Sequence, residues 1–310
     1  MKAIVCAAYG PPEVLRLAEV EKPRPGARDI LVRVHAAGIS DSDSLIRGWK
    51  VPKVWFPLRL VFGIRRPRVI LGAEVSGEVV EVGARVTRFK PGDEVMATTG
   101  MRGGGCAQYV RLRDGGRKLP WHSLIVAKPR NLSHAEAATI PGRAMLASFF
   151  LAQGGALTGK SVLIYGASGG VGTFAVQLAR QAGAEVIGVC GPKNIELVRS
   201  LGASRVLDYT NPSEEAGGPY DVIFDAAGTR KPSPLKERCR AALAPDGTWI
   251  SVDARAVIPV AHLERIRDLV ESGAIRPVLD RTFSPTEAVD AHRYVETGHK
   301  RGGIAMVFVP

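Results

Sequence analysis

The sequence lacks the cysteine patterns that hold zinc or build a disulfide framework. Its four cysteines, Cys6, Cys106, Cys190 and Cys239, are far apart, and no two of them form a C-x-x-C pair. Paired cysteines are the usual sign of a structural zinc site, and dense cysteine spacing is the sign of a disulfide-stapled secreted domain. We therefore expect no metal, free thiols and a reducing compartment, the cytoplasm being the simplest.

Long apolar runs are also missing. No stretch of about 18 uncharged apolar residues occurs, which predicts no membrane span. The N-terminus has no basic region followed by an apolar run, so no signal peptide is expected. Apolar residues make up 45% of the 310 residues and charged residues 23%, which indicates a folded chain with two domains rather than a disordered one.

Positive charge is present in excess, with a formal net charge of +12. Such a balance favours anionic partners, which include phosphorylated cofactors, nucleic acids and membrane surfaces. The densest basic group, Arg65, Arg66 and Arg68, is not interleaved with aromatic residues as in RNA-binding segments. We therefore interpret the charge as a solvated basic surface and expect no nucleic-acid partner.

The first third of the chain shows the alternation of β-strands. Residues 29–36 place Ile30, Val32 and Val34 on one face, and residues 74–82 show a similar pattern. Pro91-Gly92-Asp93 marks a turn after the second of these segments. Short strands separated by glycine and proline predict a small barrel-like β domain.

From about residue 130, apolar strands alternate with helices. Ser133 and Glu136 have the spacing of a helix capping box. Strand–helix alternation predicts a parallel sheet covered on both faces, followed by an apolar end (304–309) that returns to the β domain. The predicted strands are 162–165, 185–190, 205–209, 222–226 and 248–252, and the predicted helices are 171–182, 195–201, 262–271 and 286–296.

The strongest motif is a glycine-rich turn between a predicted strand and a predicted helix. Glycines let the backbone approach a diphosphate closely, and the helix N-terminus offers N–H groups to the phosphates. In this context the motif predicts dinucleotide binding, and a tight turn without a ligand is the alternative. The turn has the spacing G-x-x-G-x-x-G and consists of Gly166, Ala167, Ser168, Gly169, Gly170, Val171 and Gly172.

The residues after the second and third strands favour NADPH as the coenzyme. An NAD site usually has an acidic residue after the second strand, whereas this chain has Lys193, which can pair with a 2′-phosphate. Tyr209 adds a hydroxyl after the third strand, and Ala227 belongs to the small-residue turn after the fourth strand. A solvated Lys193 and use of NADH are the alternatives.

Motifs along nearly the whole chain resemble those of the medium-chain dehydrogenase/reductases, specifically the zinc-free quinone oxidoreductase-like members. The resemblance implies an α/β fold with a GroES-like β domain and a Rossmann doubly wound parallel sheet, and an active site in the cleft between them. We place the GroES-like catalytic domain at 1–125, the Rossmann domain at 126–273 and the return to the catalytic domain at 274–310. The motifs are Met1-Lys2-Ala3, Pro23-Arg24-Pro25, Leu31–Val34, Ala37-Gly38-Ile39, Leu71–Gly77, Pro91–Val95 and the glycine-rich turn.

Zinc-dependent members of this family carry a cysteine after the early Gly-Ile or Gly-Val pair, and also a Gly-His-Glu motif. Here Ser40 to Asp43 contain no cysteine, and the second motif has Ala73 in place of histidine. The resemblance therefore implies a metal-free site. In the zinc-free branch the positions of Ser40 and Asp43 usually hold Asn and Asp beside the nicotinamide, so Asp43 matches and Ser40 departs.

These features imply hydride transfer from NADPH to a quinone or another small apolar conjugated carbonyl compound. The acceptor oxygen gains charge and needs hydrogen-bond donors, for which Ser40 and Arg47 are the candidates, with Asp43 as the third catalytic candidate. An enoyl or alkenal (2-alkenal) reductase is the alternative enzyme. A nucleotide- or RNA-binding family member with little turnover is the alternative that is not an enzyme.

Two segments bear on assembly and on access to the site. The family generally has a longer stretch with a sixth sheet strand after Asp253, whereas only residues 254–262 precede the next helix here. We expect a shortened sheet edge, which leaves a homodimer open. The apolar and basic segment Trp49–Phe62 is interpreted as packing between domains, with a substrate lid or a membrane-surface contact as alternatives.

Overall fold

The computed structural model describes residues 1–49, 63–64, 67, 70–116, 122–228 and 232–308. The basic group Arg65, Arg66 and Arg68 lies outside these ranges, as does the segment Trp49–Phe62 apart from its first residue. None of the helices in the described ranges combines the length and the hydropathy that a bilayer crossing requires.

The first part of the chain forms a mainly antiparallel sheet around one long central strand. Strand β3 pairs with β4 and with β6, and its Ile30, Val32 and Val34 are fully buried, as the alternation predicts. Strands β1 and β2 pair with each other in a separate ribbon. The elements are β1 (Lys2–Cys6), β2 (Leu15–Glu19), β3 (Asp29–Ile39), α1 (Asp41–Gly48), β4 (Glu74–Val82), β5 (Glu94–Thr98), β6 (Tyr109–Arg113) and β7 (Leu124–Ala127).

The second part is a parallel sheet with helical crossovers, which confirms the predicted Rossmann architecture. Its strand order is β10-β9-β8-β11-β12, so the winding reverses between β8 and β11. The elements are α2 (His134–Ala137), α3 (Pro141–Leu151), β8 (Ser161–Tyr165), α4 (Gly170–Gln181), β9 (Glu185–Cys190), α5 (Ile195–Ser200), β10 (Arg205–Asp208), β11 (Tyr220–Asp225), α6 (Pro234–Ala241), β12 (Leu243–Ser251) and α7 (Ala261–Glu271).

The end of the chain returns to the first sheet, as predicted. It contains β13 (Leu279–Phe283), α8 (Ala288–Glu296) and β14 (Gly303–Val307). Strand β14 pairs antiparallel with β3 and parallel with β13, so the sheet order is β13-β14-β3-β4-β5-β7. The predicted domain boundary at 125/126 falls inside β7, and the one at 273/274 falls just after α7.

Three helices have no counterpart among the predicted elements: α1, α3 and α6. Helix α3 is buried along most of its length, so it has no amphipathic period that would reveal it in the sequence. Strand β12 begins at Leu243, five positions before the predicted start at residue 248. Residues 252–260, all of them described, form no strand, which agrees with the expected shortening of this sheet edge.

Helix α3 places its aromatic residues in the core of the Rossmann domain. Phe150 is fully buried, and its ring centroid lies 5.4 Å from that of Phe149 and 5.8 Å from that of Phe224 on β11. We expect Phe150→Ala to lower the free energy of unfolding by about 3–5 kcal/mol, because it leaves a cavity between helix and sheet. Urea unfolding followed by circular dichroism measures this change.

The control is Leu17→Ala, since Leu17 is 39% exposed on β2. It should change the free energy of unfolding by about 0.5 kcal/mol or less. Equal unfolding midpoints for the two variants would contradict the assignment of Phe150 to the core.

Candidate active site

Strand β8 runs directly into the glycine-rich turn, residues 166–172, which opens helix α4. Gly166 has a φ of +80°, a left-handed conformation that favours glycine. A Cβ atom on Gly172 would lie 2.1 Å from the carbonyl oxygen of Gly166, so only glycine fits there. The first N–H groups of α4 have no intrahelical acceptors, and they stand at the positive end of the helix dipole. The turn therefore has the shape and the polarity to receive a diphosphate.

The other residues predicted to bind coenzyme lie at the same edge of the sheet. Lys193 follows β9, Tyr209 follows β10 and Ala227 follows β11. A Cβ atom on Gly166 would lie 3.0 Å from the Cβ of Ala227, so the first and fourth turns are in contact. Lys193 and Tyr209 are exposed. This edge, where the winding reverses, is where doubly wound sheets bind dinucleotides, and these residues fit a nicotinamide dinucleotide.

The returning chain lies directly against the glycine-rich turn. The N–H of Gly302 donates to the carbonyl oxygen of Ser168 at 2.9 Å, and Gly169 and Gly302 form an isolated parallel bridge. The guanidinium of Arg301 donates to the carbonyl oxygen of Lys193 at 3.4 Å. Arg301 is not among the residues that the sequence predicts for this site. Its only signal in the sequence is a basic pair just before the final apolar segment.

A buried ion pair supports the turn after β11. Lys236 is 6% exposed, and its Nζ donates to Asp225 Oδ2 at 2.9 Å and to the carbonyl oxygen of Gly228 at 2.8 Å. Asp225 Oδ1 accepts from the N–H groups of Ala227 at 3.2 Å and Gly228 at 3.0 Å. The pair therefore fixes the turn that packs against the glycine-rich turn.

Helix α1 and the residue before it carry the three predicted catalytic residues. Asp43 is 2% exposed, and its Oδ2 accepts from the N–H and the hydroxyl of Ser40, each at 2.8 Å. Its Oδ1 accepts from the N–H of Gly72 at 2.8 Å. Asp43 therefore caps α1 and links this helix to the segment that leads into β4. Arg47 is fully buried and donates to the Gly10 carbonyl oxygen and to Glu296 Oε1, each at 2.5 Å.

These contacts differ from the predicted donor roles. The hydroxyl hydrogen of Ser40 is directed at Asp43, and the guanidinium of Arg47 is enclosed by the domain interior. A donor must face the acceptor in the cleft. Arg47 is enclosed and does not face it, and the hydroxyl of the half-buried Ser40 would first have to turn away from Asp43. The catalytic roles of all three stay predictions, while the contacts of Asp43 and Arg47 favour positioning roles.

A second buried ion pair joins the two domains. Glu74 begins β4 and Arg143 lies in the first turn of α3, and both side chains are 6% exposed. The Arg143 Nη1 group donates to Glu74 Oε2, and its Nη2 donates to the Ile39 carbonyl oxygen at 2.7 Å. Burial raises the pKa of Glu74 to about 7, although Arg143 opposes the rise. The sequence signal for this pair is a single arginine within an apolar segment.

The cysteines lie in the cores rather than at the cleft. All four are buried free thiols. Burial raises the pKa of Cys6 and of Cys239 to about 11 and that of Cys190 to about 12, so these thiols stay protonated near neutral pH. Within the ranges that the structure covers, no three His, Cys, Asp or Glu side chains gather as a metal site would require.

Both domains match known protein families. Residues 26–120 match the alcohol dehydrogenase GroES-like domain. Residues 170–270 match a family described as zinc-binding dehydrogenase, and residues 255–305 match a second family with the same description.

Similar proteins span nearly the whole chain. It is 31% identical to a chloroplastic quinone-oxidoreductase homolog of Spinacia oleracea, over 98% of this chain and 97% of that protein. It is 30% identical to a chloroplastic NADPH-dependent alkenal/one oxidoreductase of Arabidopsis thaliana, over 100% of this chain and 80% of that protein. The solved structure of a quinone oxidoreductase from Coxiella burnetii has a TM-score of 0.82 at 29% identity, covering 99% of each chain.

The Lys236–Asp225 pair gives a direct test of how this cleft is held. Lys236→Met leaves the Asp225 carboxylate buried without its cation, so we expect a loss of about 3–5 kcal/mol in the free energy of unfolding. The double variant Lys236→Met/Asp225→Asn should recover part of that loss. Urea unfolding of the single and double variants measures the coupling.

A matched control is Glu196→Gln, which removes the exposed pair with Arg199 on α5. That change should cost about 1 kcal/mol or less. If Lys236→Met were no more harmful than Glu196→Gln, the buried pair would not support the turn.

Proposed function

The chain belongs to the medium-chain dehydrogenase/reductase superfamily, in its quinone oxidoreductase-like branch, and on this basis we propose that it reduces quinones or other conjugated carbonyl compounds with a nicotinamide coenzyme. The glycine-rich turn at the end of β8 is the observation that carries the proposal, because its glycines leave room for a diphosphate at the start of α4. The named activities of the similar quinone and alkenal/one oxidoreductases support the same class of acceptor.

NADPH is the coenzyme that the charges favour over NADH. Lys193 stands after β9, where NAD sites usually hold an acidic residue, and Tyr209, 41% exposed, follows the neighbouring strand β10. The guanidinium of Arg301 reaches the Lys193 backbone from the returning chain. Two cations and a hydroxyl near one strand end are suited to a 2′-phosphate.

The protein's contribution to the reaction is binding and orientation. When bound, the coenzyme supplies the hydride that the acceptor receives. The N-terminus of α4 and the glycine-rich turn would hold its diphosphate, and the turn at Ala227 would lie along its length. The wall at Ile39 and Ser40, fixed by Arg143 and Asp43, would face the reacting ring and the acceptor.

Ser40 is the best remaining candidate for a hydrogen-bond donor to the acceptor oxygen. It is half-buried, whereas Asp43 and Arg47 are enclosed, and rotation about its Cα–Cβ bond would turn the hydroxyl away from Asp43. In this proposal Asp43 and Arg47 position α1 rather than touch the substrate. A proton from water would complete the reduction.

The first experiment is a screen for coenzyme oxidation over quinones, enals and enones, with NADPH and NADH in parallel. We expect faster oxidation of NADPH, and turnover with at least one class of conjugated acceptor. The ratio of quinone to enone turnover separates a quinone reductase from an alkenal reductase. Failure of both coenzymes to bind in a fluorescence titration, together with salt-sensitive RNA binding, would favour the non-enzymatic alternative.

The coenzyme preference has its own test. Lys193→Ala should weaken NADPH binding by about tenfold or more, the value of one hydrogen bond between charged groups, and should leave NADH binding unchanged. Arg199→Ala is the control, because Arg199 is a cation on α5 whose partner is Glu196 of the same helix. Equal losses for NADPH and NADH in Lys193→Ala would show that Lys193 does not bind the 2′-phosphate.

Location and assembly stay predictions. Cysteine usage predicts the cytoplasm, whereas the similar proteins of Spinacia oleracea and Arabidopsis thaliana described above are named as chloroplastic. Within the described residues, β12 is the last strand at its edge of the sheet, and the sixth strand of the family does not follow it. Whether the protein forms a homodimer through this edge is therefore undecided.

A further inference from the structure

We propose that Arg143 and Glu74 form a positioning pair that locks the catalytic-domain wall to the coenzyme-binding turn, so that coenzyme affinity and turnover depend on this ion pair. The inference rests on the proposed oxidoreductase function, but it concerns how the two halves of the cleft are held in register. Arg143 belongs to no motif in the sequence and is not among the predicted catalytic residues.

On the catalytic-domain side, the pair holds the backbone next to the predicted nicotinamide site. The Arg143 Nη2 group donates to the Ile39 carbonyl oxygen at 2.7 Å, one residue before Ser40. Glu74 lies two residues after Gly72, whose N–H is bound by Asp43 at 2.8 Å. Displacing the ion pair would therefore shift both segments that meet at the start of α1.

On the coenzyme side, the same arginine lies against the start of α4. A Cβ atom on Gly170 would be 2.7 Å from Arg143 Cδ and 2.8 Å from its Nε. The Arg143 stem thus fills the space that a side chain at Gly170 would need. One side chain touches both the first turn of the phosphate-binding helix and the backbone before Ser40.

The surroundings of the pair are shaped to hold it. A Cβ atom on Gly142 would lie 2.3 Å from Glu74 Oε1, and one on Gly38 would lie 2.8 Å from Glu74 Oε2. Three glycines from three elements, β3, α3 and α4, leave room for two buried charged side chains. Removing one member of a buried pair leaves the other charge without a partner, so breaking this pair should disturb the structure more than breaking a surface ion pair.

Protonation provides a way to release the pair without a mutation. The charged groups that act on Glu74 are Arg143 from α3, Asp43 from α1 and Lys300 from the chain before β14. Burial raises the pKa of Glu74 to about 7, despite the opposing charges of Arg143 and Lys300. Below that pH the carboxyl group becomes neutral, and the ion pair is replaced by a weaker hydrogen bond from the Arg143 guanidinium to a neutral oxygen.

The test measures coenzyme affinity by fluorescence titration, together with kcat and KM, between pH 6 and pH 8.5. In the wild type we expect affinity and kcat to fall as the pH drops through about 7. Glu74→Gln should bind coenzyme about tenfold more weakly at pH 8, the scale of one lost charge-assisted hydrogen bond, and should show no transition near pH 7. Arg143→Lys keeps the positive charge but loses the forked donor geometry of the guanidinium. Its coenzyme affinity should therefore lie between that of the wild type and that of Glu74→Gln.

Two controls separate this effect from general changes. Glu78 lies on β4, as Glu74 does, and its 32% exposed side chain pairs with Arg33 of the neighbouring strand β3. Glu78→Gln removes that pair and should match the wild type at every pH. Each titration is run with NADH as well as NADPH, because a 2′-phosphate also titrates near pH 6. The transition assigned to Glu74 must appear with both coenzymes.

A measurement on the coenzyme-free protein makes the proposal independent of turnover. Hydrogen exchange of the peptide that contains Ile39 to Ser44 should be faster in Glu74→Gln than in wild type at pH 8, since Arg143 then holds Ile39 less firmly. Unchanged exchange in this peptide, or a Glu74→Gln variant with wild-type affinity and pH profile, would overturn the positioning role. Absence of coenzyme binding in the wild type at every pH, with exchange altered as expected, would instead overturn the proposed function.

Discussion

The contact between Gly302 and the glycine-rich turn is the constraint on which the cleft depends. The N–H of Gly302 bonds to Ser168, and Gly302 bridges Gly169, so the returning chain touches the segment that is shaped for a diphosphate. Gly302 has a φ of +65°, which favours glycine, and a Cβ atom there would lie 2.3 Å from the carbonyl oxygen of Val278. Because β14 continues from this contact into the sheet beside β3, the position of the turn relative to the catalytic domain is determined by main-chain hydrogen bonds.

Buried ion pairs then hold the walls of the cleft. Arg143 with Glu74 joins the domains, and Lys236 with Asp225 supports the turn after β11. Apolar packing of the same volume would often be at least as stable, because two charges must lose their water. What an ion pair adds is direction, since a guanidinium or an ammonium group has several donors that bind defined carbonyl oxygens. Both pairs do bind such oxygens, at Ile39 and at Gly228.

The three predicted catalytic residues differ in burial and in what their polar atoms contact. Asp43 and Arg47 were predicted beside the reacting groups, yet their polar atoms bind Ser40, Gly72, Gly10 and Glu296 inside the catalytic domain. Charged residues near a cleft are often buried supports, and sequence alone does not distinguish a support from a donor. Ser40 is the one of the three that reaches the surface of the described cleft wall.

The sequence by itself determined the architecture and which residues stand at the sheet edge where coenzyme binding is predicted. Strand alternation, the glycine spacing and the residues after each parallel strand all depend on neighbours within a few positions, so local patterns were enough to place Gly166 to Gly172, Lys193, Tyr209 and Ala227. Only the tertiary structure decided which charges pair, because Glu74 and Arg143 are 69 positions apart and Arg47 and Glu296 are 249 apart. No local period records such contacts. Helix α3 escaped the sequence patterns for a related reason, since burial on nearly all sides removes the polar face that marks a helix.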